Sequence, residues 1–386
     1  MVLIVGIVYL WKRIKEGKKP FSGTKQFLIV CMVFLILLVS IPLVGSKFIL
    51  YFLDLHKPFS THREKIDLVY PQIVYRVKAK DIPFISIVDL NNDGRNDIVC
   101  GTDVFVQGED KGLKRTTLNY SKYDIKSKIY GIVVNEENRD ELILYCEDGA
   151  YIIPQTKPNT LNPPKGKKRH SPPILDKDEE GITGVISASG AGDINGDGIK
   201  DKIFIVDYKK IVILIKTKEG KIDLSIEYYS PKGWELSNKM AVGDVTGDNR
   251  ADIVVSGEKD MDIYIFASNR ESKIVDSFEY KVDRKVPIRY FREIKIDDIN
   301  NDGLNDIIVL GMGGFIGRGG SGMIGGHDYI SIYTQREKGL FNLPISHSAG
   351  YAALSMAIGD INSDGKNDIV VYNFFSKTIS VFINAN

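Results

Sequence analysis

The chain has 386 residues, of which 43% are hydrophobic and 26% are charged, and its formal net charge at neutral pH is +1. This length suits one large domain with a membrane segment. Runs of basic residues do not recur along the chain at a regular interval, which argues against a nucleic-acid partner. The charge is uneven: residues 1–50 hold seven Lys or Arg and one Glu, which leaves 44 basic and 49 acidic residues in 51–386.

The N-terminal residues predict a membrane anchor. Residues 1–11 are apolar but too few to span a bilayer, and the cluster of Lys and Arg between Lys12 and Lys25 follows them. Residues 27–46 carry no charge, and twenty such residues are enough for a transmembrane helix. A cleaved signal peptide is the alternative, but its apolar region would be shorter and a small-residue cleavage site would follow.

The predicted division is a cytoplasmic segment (1–26), a transmembrane helix (27–46), a membrane-proximal stalk (47–65) and a domain (66–386). The bias of basic residues toward the cytoplasmic side places the N-terminus in the cytoplasm and the domain in the periplasm or outside the cell. The domain begins with an alternating segment, Leu68–Val77, which predicts a strand.

A nine-residue loop of the form D-x-[N/T]-x-D-[G/N]-x-x-D occurs five times. We number the copies loop 1 (89–97), loop 2 (193–201), loop 3 (244–252), loop 4 (298–306) and loop 5 (360–368). Oxygen-bearing side chains at positions 1, 3 and 5, followed by a glycine in a tight turn, begin a calcium loop. Polar hairpin turns without metal are the alternative, although fifteen unneutralised aspartates held so close together would repel one another.

The predicted calcium ligands are positions 1, 3, 5 and 9, together with the backbone carbonyl of position 7, which gives about five Ca²⁺ sites. In loops 1 and 2 these are Asp89, Asn91, Asp93, Arg95 and Asp97, and Asp193, Asn195, Asp197, Ile199 and Asp201. In loops 3 and 4 they are Asp244, Thr246, Asp248, Arg250 and Asp252, and Asp298, Asn300, Asp302, Leu304 and Asp306. In loop 5 they are Asp360, Asn362, Asp364, Lys366 and Asp368.

The residues around each loop predict strands rather than the helices of an EF-hand. Loops lead into β-branched runs such as Ile253-Val254-Val255, and Phe84–Val88 precedes loop 1. The loops begin at 89, 193, 244, 298 and 360, so the first interval is about twice the others. A degenerate copy is therefore expected near residue 140, with Glu141 in place of the last aspartate, Val133 at position 1 and poor calcium binding.

Six units of about four short strands each predict an all-β fold, a β-propeller of six blades, with seven as the alternative. The repeated aspartate loop resembles the FG-GAP or VCBS repeats of integrin α-chain propellers and bacterial surface proteins. The resemblance covers residues 66–386, but the Gly-Ala-Pro tripeptide of that family is absent, so the integrin ligand surface is not implied.

The last unit predicts only three strands, Ser355–Ile361, Asp368–Asn373 and Thr378–Ile383. We therefore predict that Leu68–Val77 supplies its fourth strand and closes the ring, which would remove an exposed edge. The unit that contains loop 4 carries a glycine-rich insertion, Gly311–Gly326, between its second and third strands. It is predicted to be a flexible surface loop, with a binding role as the alternative.

Two further segments are predicted to be surface loops. Pro154–Pro173 reads as a solvated loop, with a basic contact for an acidic polymer or lipid head groups as the alternative. His327-Asp328, next to the glycine-rich insertion, reads as a surface turn. A disulfide between Cys100 and Cys146 is disfavoured, since neighbouring blades splay apart.

The predicted anchor and the resemblance together favour a membrane-anchored module that binds a protein or a glycan. The alternatives are the propeller domain of a polysaccharide- or lipid-active enzyme, and a structural subunit of an envelope complex. The five histidines, His56, His62, His170, His327 and His347, form no ligand spacing, and neither G-x-S-x-G nor H-E-x-x-H occurs. The chain is therefore predicted not to be an enzyme.

Overall fold

The computed structural model describes residues 73–77, 85–91, 93–101, 103–117, 129–134, 141–146, 149–154, 182, 184–231, 234–259, 262–269, 274–280, 288–313, 327–337 and 339–385. No helix in these ranges has the length and apolar character that crossing a bilayer requires. The predicted cytoplasmic segment, transmembrane helix and stalk lie outside the described residues.

The described strands form six antiparallel sheets of three or four strands. Sheet 1 contains β2 (Ile85–Val88), β3 (Asp97–Cys100), β4 (Asp103–Gln107) and β5 (Leu113–Thr117). Sheet 2 contains β6 (Ile129–Val134), β7 (Glu141–Cys146) and β8 (Gly149–Pro154). Sheet 3 contains β9 (Ile186–Gly192), β10 (Asp201–Val206), β11 (Lys210–Lys216) and β12 (Ile222–Tyr229).

The second half of the chain repeats this plan. Sheet 4 contains β13 (Leu236–Gly243), β14 (Asp252–Gly257), β15 (Ile263–Ser268) and β16 (Ile274–Tyr280). Sheet 5 contains β17 (Ile288–Asp297), β18 (Asp306–Gly313), β19 (His327–Tyr333) and β22 (Ile345–Tyr351), with a hairpin of β20 (Gln335–Glu337) and β21 (Leu340–Phe341) beside it. Sheet 6 contains β23 (Ala353–Gly359), β24 (Asp368–Asn373), β25 (Thr378–Phe382) and β1 (Ile73–Arg76).

Sheets 4, 5 and 6 are each covered on both faces by their neighbours. In β14, Ile253 and Val255 pack into a core shared with sheet 3, whereas Val254 between them packs into a core shared with sheet 5. Successive side chains of a strand point to opposite faces, so an uninterrupted apolar run identifies a strand with both faces buried. All six residues of β14 are buried.

The same packing continues from sheet 5 to sheet 6 and then from sheet 6 to sheet 1. Ile369 and Val371 of β24 pack against sheet 5, and Val370 packs with Ile98 and Phe105 of sheet 1. The last sheet therefore lies against the first, and β2 of sheet 1 also lies beside β6. Sheets 3 to 6 stack face to face in chain order and sheet 6 packs against sheet 1, which is the arrangement of an all-β propeller.

Three of the strands that lead into an aspartate loop, which we call inner strands, end in a glycine: β9, β13 and β23. The glycine allows the inner strand of the neighbouring sheet to lie close. A Cβ atom on Gly192 would lie 2.5 Å from Val242, and one on Gly359 would lie 2.9 Å from Ile87. A Cβ atom on Gly243 would lie 3.0 Å from Ile296. A larger residue at any of these positions would push neighbouring sheets apart.

The predicted closing strand is confirmed for the residues that are described. β1 pairs antiparallel with β25, with Ile73 opposite Val381 and Arg76 opposite Thr378. The predicted residues 68–72 lie outside the described ranges. The inner strand of sheet 6 spans Ala353–Gly359 instead of the predicted Ser355–Ile361, because Asp360 and Ile361 already belong to loop 5.

Two loop predictions are wrong. Gly311–Gly313 belong to β18, and glycine is needed there because a Cβ on Gly311 would lie 2.5 Å from Ile288. His327 and Asp328 begin β19 instead of a surface turn, and Asp328 is fully buried with its Oδ2 3.6 Å from Arg292 Nε. Residues 155–173 and 314–326 of the two insertions lie outside the described ranges. Cys100 is a free, buried thiol.

Candidate metal centre

The five loops share one backbone shape. The φ angle at position 6 is positive in each: 82° at Gly94, 84° at Gly198, 64° at Asn249, 85° at Gly303 and 82° at Gly365. Side chains strongly disfavour this region, and asparagine is among the best tolerated after glycine, which accounts for the residue types found there. The tight turn predicted at position 6 is confirmed.

The aspartate at position 1 organises each loop. In loop 1, Asp89 Oδ1 accepts a hydrogen bond from the Asp93 N–H (3.0 Å) and Oδ2 accepts one from the Gly94 N–H (2.8 Å). The same two bonds occur in loops 2 to 5 at 2.7–3.2 Å. The backbone therefore wraps around this carboxylate and brings positions 1 and 5 together.

Positions 3 and 5 are joined through the asparagine side chain. The Asn91 amide nitrogen donates to Asp93 Oδ2 (3.0 Å), while the Asn91 side-chain oxygen accepts from the Asp93 N–H (3.2 Å). Loops 2, 4 and 5 repeat both bonds. Thr246 of loop 3 has no amide, and its backbone N–H instead donates to Asp244 Oδ1 (3.1 Å) and Asp252 Oδ2 (3.0 Å).

The aspartate at position 9 is fully buried in all five loops. Its Oδ2 accepts from the N–H of position 2, as in Asp306 with Ile299 at 3.2 Å. Its Oδ1 accepts from the N–H of a residue that ends the third strand or lies two residues beyond it, as in Asp306 with Gln335 at 2.8 Å. This residue therefore fastens the loop to the end of the third strand. In loop 3, Asp252 Oδ2 accepts a second bond, from the Thr246 N–H.

Burial raises the pKa of these position 9 carboxyls above the ordinary value of 3.8, and the nearby aspartates of the same loop add to the rise. The pKa reaches about 6 for Asp97, Asp252 and Asp368 and about 8 for Asp306, and it is also raised for Asp201. Each loop therefore holds more negative charge than its surroundings solvate well, and a bound cation would favour the ionised forms.

The residues whose backbone N–H donates to Oδ1 of the position 9 aspartate were not identified from the sequence. We call them the strand-end residues: Gln107, Lys216, Ser268, Gln335 and Asn384. Four of them also send a side-chain donor to the position 2 carbonyl of the neighbouring loop. These bonds join Gln107 to Ile361, Ser268 to Ile194, Gln335 to Val245 and Asn384 to Ile299. The sequence feature that could have identified these residues is a polar residue at the end of an apolar third strand.

Position 8 adds further bonds between neighbouring loops. The Asn305 side chain of loop 4 donates to the Asp244 carbonyl of loop 3 (2.8 Å), and Asn96 of loop 1 donates to the Asp360 carbonyl of loop 5 (2.9 Å). Asn367 of loop 5 donates to Asp297 Oδ1, next to loop 4, at 2.6 Å. The loops therefore lie side by side at one end of their sheets.

The side chains of these loops offer carboxylate, amide and hydroxyl oxygens, which are the hard ligands that calcium prefers. Within the described ranges, no group of three His, Cys, Asp or Glu side chains is spaced as a metal site. Each loop also offers an amide or hydroxyl oxygen at position 3 and backbone carbonyls. This donor chemistry fits calcium, and calcium binding by the loops stays a prediction.

Comparison with known proteins addresses the repeats directly. Residues 193–255 and 298–371 match the FG-GAP-like repeat family, and they contain loops 2 to 5. The chain carries FG-GAP-like repeats. Loop 1 has the same hydrogen bonds although it lies outside the matched residues.

One curated relative is integrin alpha-PS5 of Drosophila melanogaster, which is 34% identical over 94 residues. That alignment covers 22% of this chain and 9% of the relative, so the chain spans less than a tenth of that protein. Similar solved structures include the β-propeller domain of Cps50 (Swd1) from Myceliophteria thermophila, at 12% identity and a TM-score of 0.38, covering 80% of this chain and 84% of that one. Another is a luciferin-regenerating enzyme, at 9% identity and a TM-score of 0.42, covering 81% of this chain and 96% of that one.

Proposed function

We propose that this protein is a membrane-anchored calcium-binding β-propeller of six blades that serves as a non-catalytic recognition module for a protein or a glycan. The observation that carries the proposal is one loop geometry repeated five times, each copy joining the first and second strands of its sheet. The FG-GAP-like repeats and the integrin α relative support a recognition role.

Calcium would be held by the oxygens of positions 1, 3, 5 and 9 and the carbonyl of position 7, and its positive charge would offset the three aspartates of each loop. An ion that binds only the folded chain stabilises it by mass action. Extracellular modules bind calcium at about 10⁻⁴ to 10⁻³ M, which suits a domain outside the cytoplasm. The basic residues 12–25 before the apolar residues 27–46 support that orientation.

The other end of the propeller supports a recognition role. In sheet 3, the strand ends opposite loop 2 expose Val185 (61%), Tyr208 (42%) and Tyr229 (66%). Asp207 and Tyr208 both adopt positive φ angles, 52° and 57°, in the turn between β10 and β11. Strained turns that expose aromatic side chains are common at binding sites, and tyrosine offers both an apolar face and a hydroxyl group.

The test uses the full-length chain in mild detergent. We expect millimolar calcium to raise the melting temperature relative to EGTA, and Asp360→Asn to reduce that increase. Asp223→Asn, on the exposed strand β12, is the matched control and should leave the increase intact. An identical melting temperature with and without calcium would contradict the calcium part of the proposal.

Recognition is tested separately on glycan and envelope-protein arrays. We expect binding that falls at least about tenfold in a Tyr208→Ser, Tyr229→Ser double variant whose melting temperature is unchanged, because exposed side chains contribute little to stability. Arrays that show no calcium-dependent ligand, or a ligand that the double variant still binds fully, would contradict this part.

A further inference from the structure

Loops 1 and 3 differ from the other three loops at position 7. Arg95 Nη2 lies 2.6 Å from Asp93 Oδ2, and Arg250 Nη2 makes the same ion pair with Asp248 Oδ2. Position 7 is Ile199, Leu304 and Lys366 in loops 2, 4 and 5. Among the described residues, the ion pairs within a loop between positions 5 and 7 are those of the two arginines.

Each arginine also contacts a carbonyl at the end of the third strand of its sheet. Arg95 Nε lies 3.4 Å from the Gln107 carbonyl, and Arg250 Nη2 lies 3.4 Å from the Ser268 carbonyl. Gln107 and Ser268 are the strand-end residues of their sheets, so the two guanidinium groups occupy equivalent places. Both arginine side chains are partly buried, with exposed fractions of 30% and 18%.

We propose that these two guanidinium groups act as internal counter-ions, so that loops 1 and 3 are weak calcium sites and loops 2, 4 and 5 are strong ones. The inference rests on the proposed calcium function and assigns its regulation to Arg95 and Arg250. A guanidinium is always charged, and its planar donors match a carboxylate. It neutralises the position 5 carboxylate and repels a divalent cation at close range.

The arrangement predicts two separate contributions to stability. Loops 1 and 3 stay ordered without calcium, because Asp93 and Asp248 already have a partner. The other three loops depend on the ion, because their position 5 carboxylates lack this partner. When the strong sites are saturated, each chain should therefore hold three calcium ions, one in each of the three loops without arginine at position 7.

The experiment measures calcium stoichiometry by equilibrium dialysis of radioactive calcium with the full-length chain in mild detergent. The variants are Arg95→Leu and Arg250→Leu, which give position 7 the residue that loop 4 already has. We expect three strong ions in the unmodified chain and one more in each variant, with that loop binding about tenfold or more tightly. Lys366→Leu is the control, since it removes a cation at the same position without breaking an ion pair to Asp364.

Melting temperatures give a second measurement. In EGTA the arginine variants should melt below the unmodified chain, because Asp93 or Asp248 loses its counter-ion, and the increase produced by calcium should be larger than normal. Five equal sites in the unmodified chain, or variants with unchanged affinity, would overturn the inference and leave calcium binding intact. A chain that binds no calcium would overturn the inference and the proposed function together. A gain in calcium affinity in Lys366→Leu equal to that in Arg95→Leu would also overturn the inference, because the loss of one positive charge would then explain both.

Discussion

Burial decides how much a single ion pair contributes in this protein. Asp328 is fully buried beside Arg292, whereas Lys259 and Glu235 form an ion pair 2.8 Å apart with exposed side chains. Exposed pairs contribute about 0–1 kcal/mol, because water and salt screen them and ordering the side chains has an entropic cost. Removing one member of a buried pair leaves a charge with poor solvation and costs about 3–5 kcal/mol.

We therefore expect Arg292→Ala, which removes the guanidinium beside the buried Asp328 carboxylate, to lower the free energy of unfolding by about 3 kcal/mol or more. Lys259→Ala, the exposed control, should change it by less than about 1 kcal/mol. Urea unfolding followed by tryptophan fluorescence measures both. Equal effects would mean that the Arg292–Asp328 pair contributes nothing beyond an ordinary surface contact.

The strand-end residues couple one sheet to the next. The Gln335 side chain, beside sheet 5, donates a hydrogen bond from Nε2 to the Val245 carbonyl of loop 3 in sheet 4, at 2.8 Å. Both residues are buried. A buried carbonyl that loses its donor costs about 1–3 kcal/mol. The position 9 aspartate of loop 4 holds the backbone of the same residue, so a disturbance in loop 4 reaches loop 3 through one side chain.

Gln335→Leu should therefore destabilise the fold by about 1–3 kcal/mol and raise hydrogen exchange in loop 3 (244–252), although the substitution lies in another sheet. Arg336→Leu places the same side chain at the next, exposed position and is the control. Exchange measured by mass spectrometry distinguishes the two. If exchange rises around Gln335 while loop 3 stays unchanged, the loops are not coupled by this bond.

The sequence predicted elements well where one local interaction sets their ends. β3, β10, β14, β18 and β24 each begin at the position 9 aspartate, and β7 begins at Glu141, as the degenerate copy predicted. Contacts between sheets were not predictable from a local pattern, because Ser268 and Ile194 are 74 residues apart and Gln107 and Ile361 are 254 residues apart. The error at Gly311–Gly313 has the same origin, since Ile288 of the adjacent strand requires the glycine.

At the scale of the whole molecule, the N-terminal strand joins the two ends of the domain by two different kinds of contact. β1 is hydrogen-bonded to β25 of the last sheet, and the Val77 N–H donates to the Lys377 carbonyl at 2.8 Å. Its side chains pack toward the first sheet, because Tyr75 and Phe105 have ring centroids 5.0 Å apart. Gln107 and Asn96 of sheet 1 bond to loop 5 independently of β1.

Deletion of residues 1–77 should therefore weaken the closure without removing all of it. We expect lower stability than in a 1–60 deletion, which keeps β1, together with aggregation through the exposed edge of β25. Tyr75→Ala in the 1–60 deletion separates packing from strand pairing, because it removes the contact with Phe105 and leaves the backbone bonds, and it should cost about 2–4 kcal/mol. Gel filtration and urea unfolding of the three proteins provide the comparison. If the two deletions are equally stable and equally monomeric, the loop 5 contacts to Asn96 and Gln107 close the ring unaided.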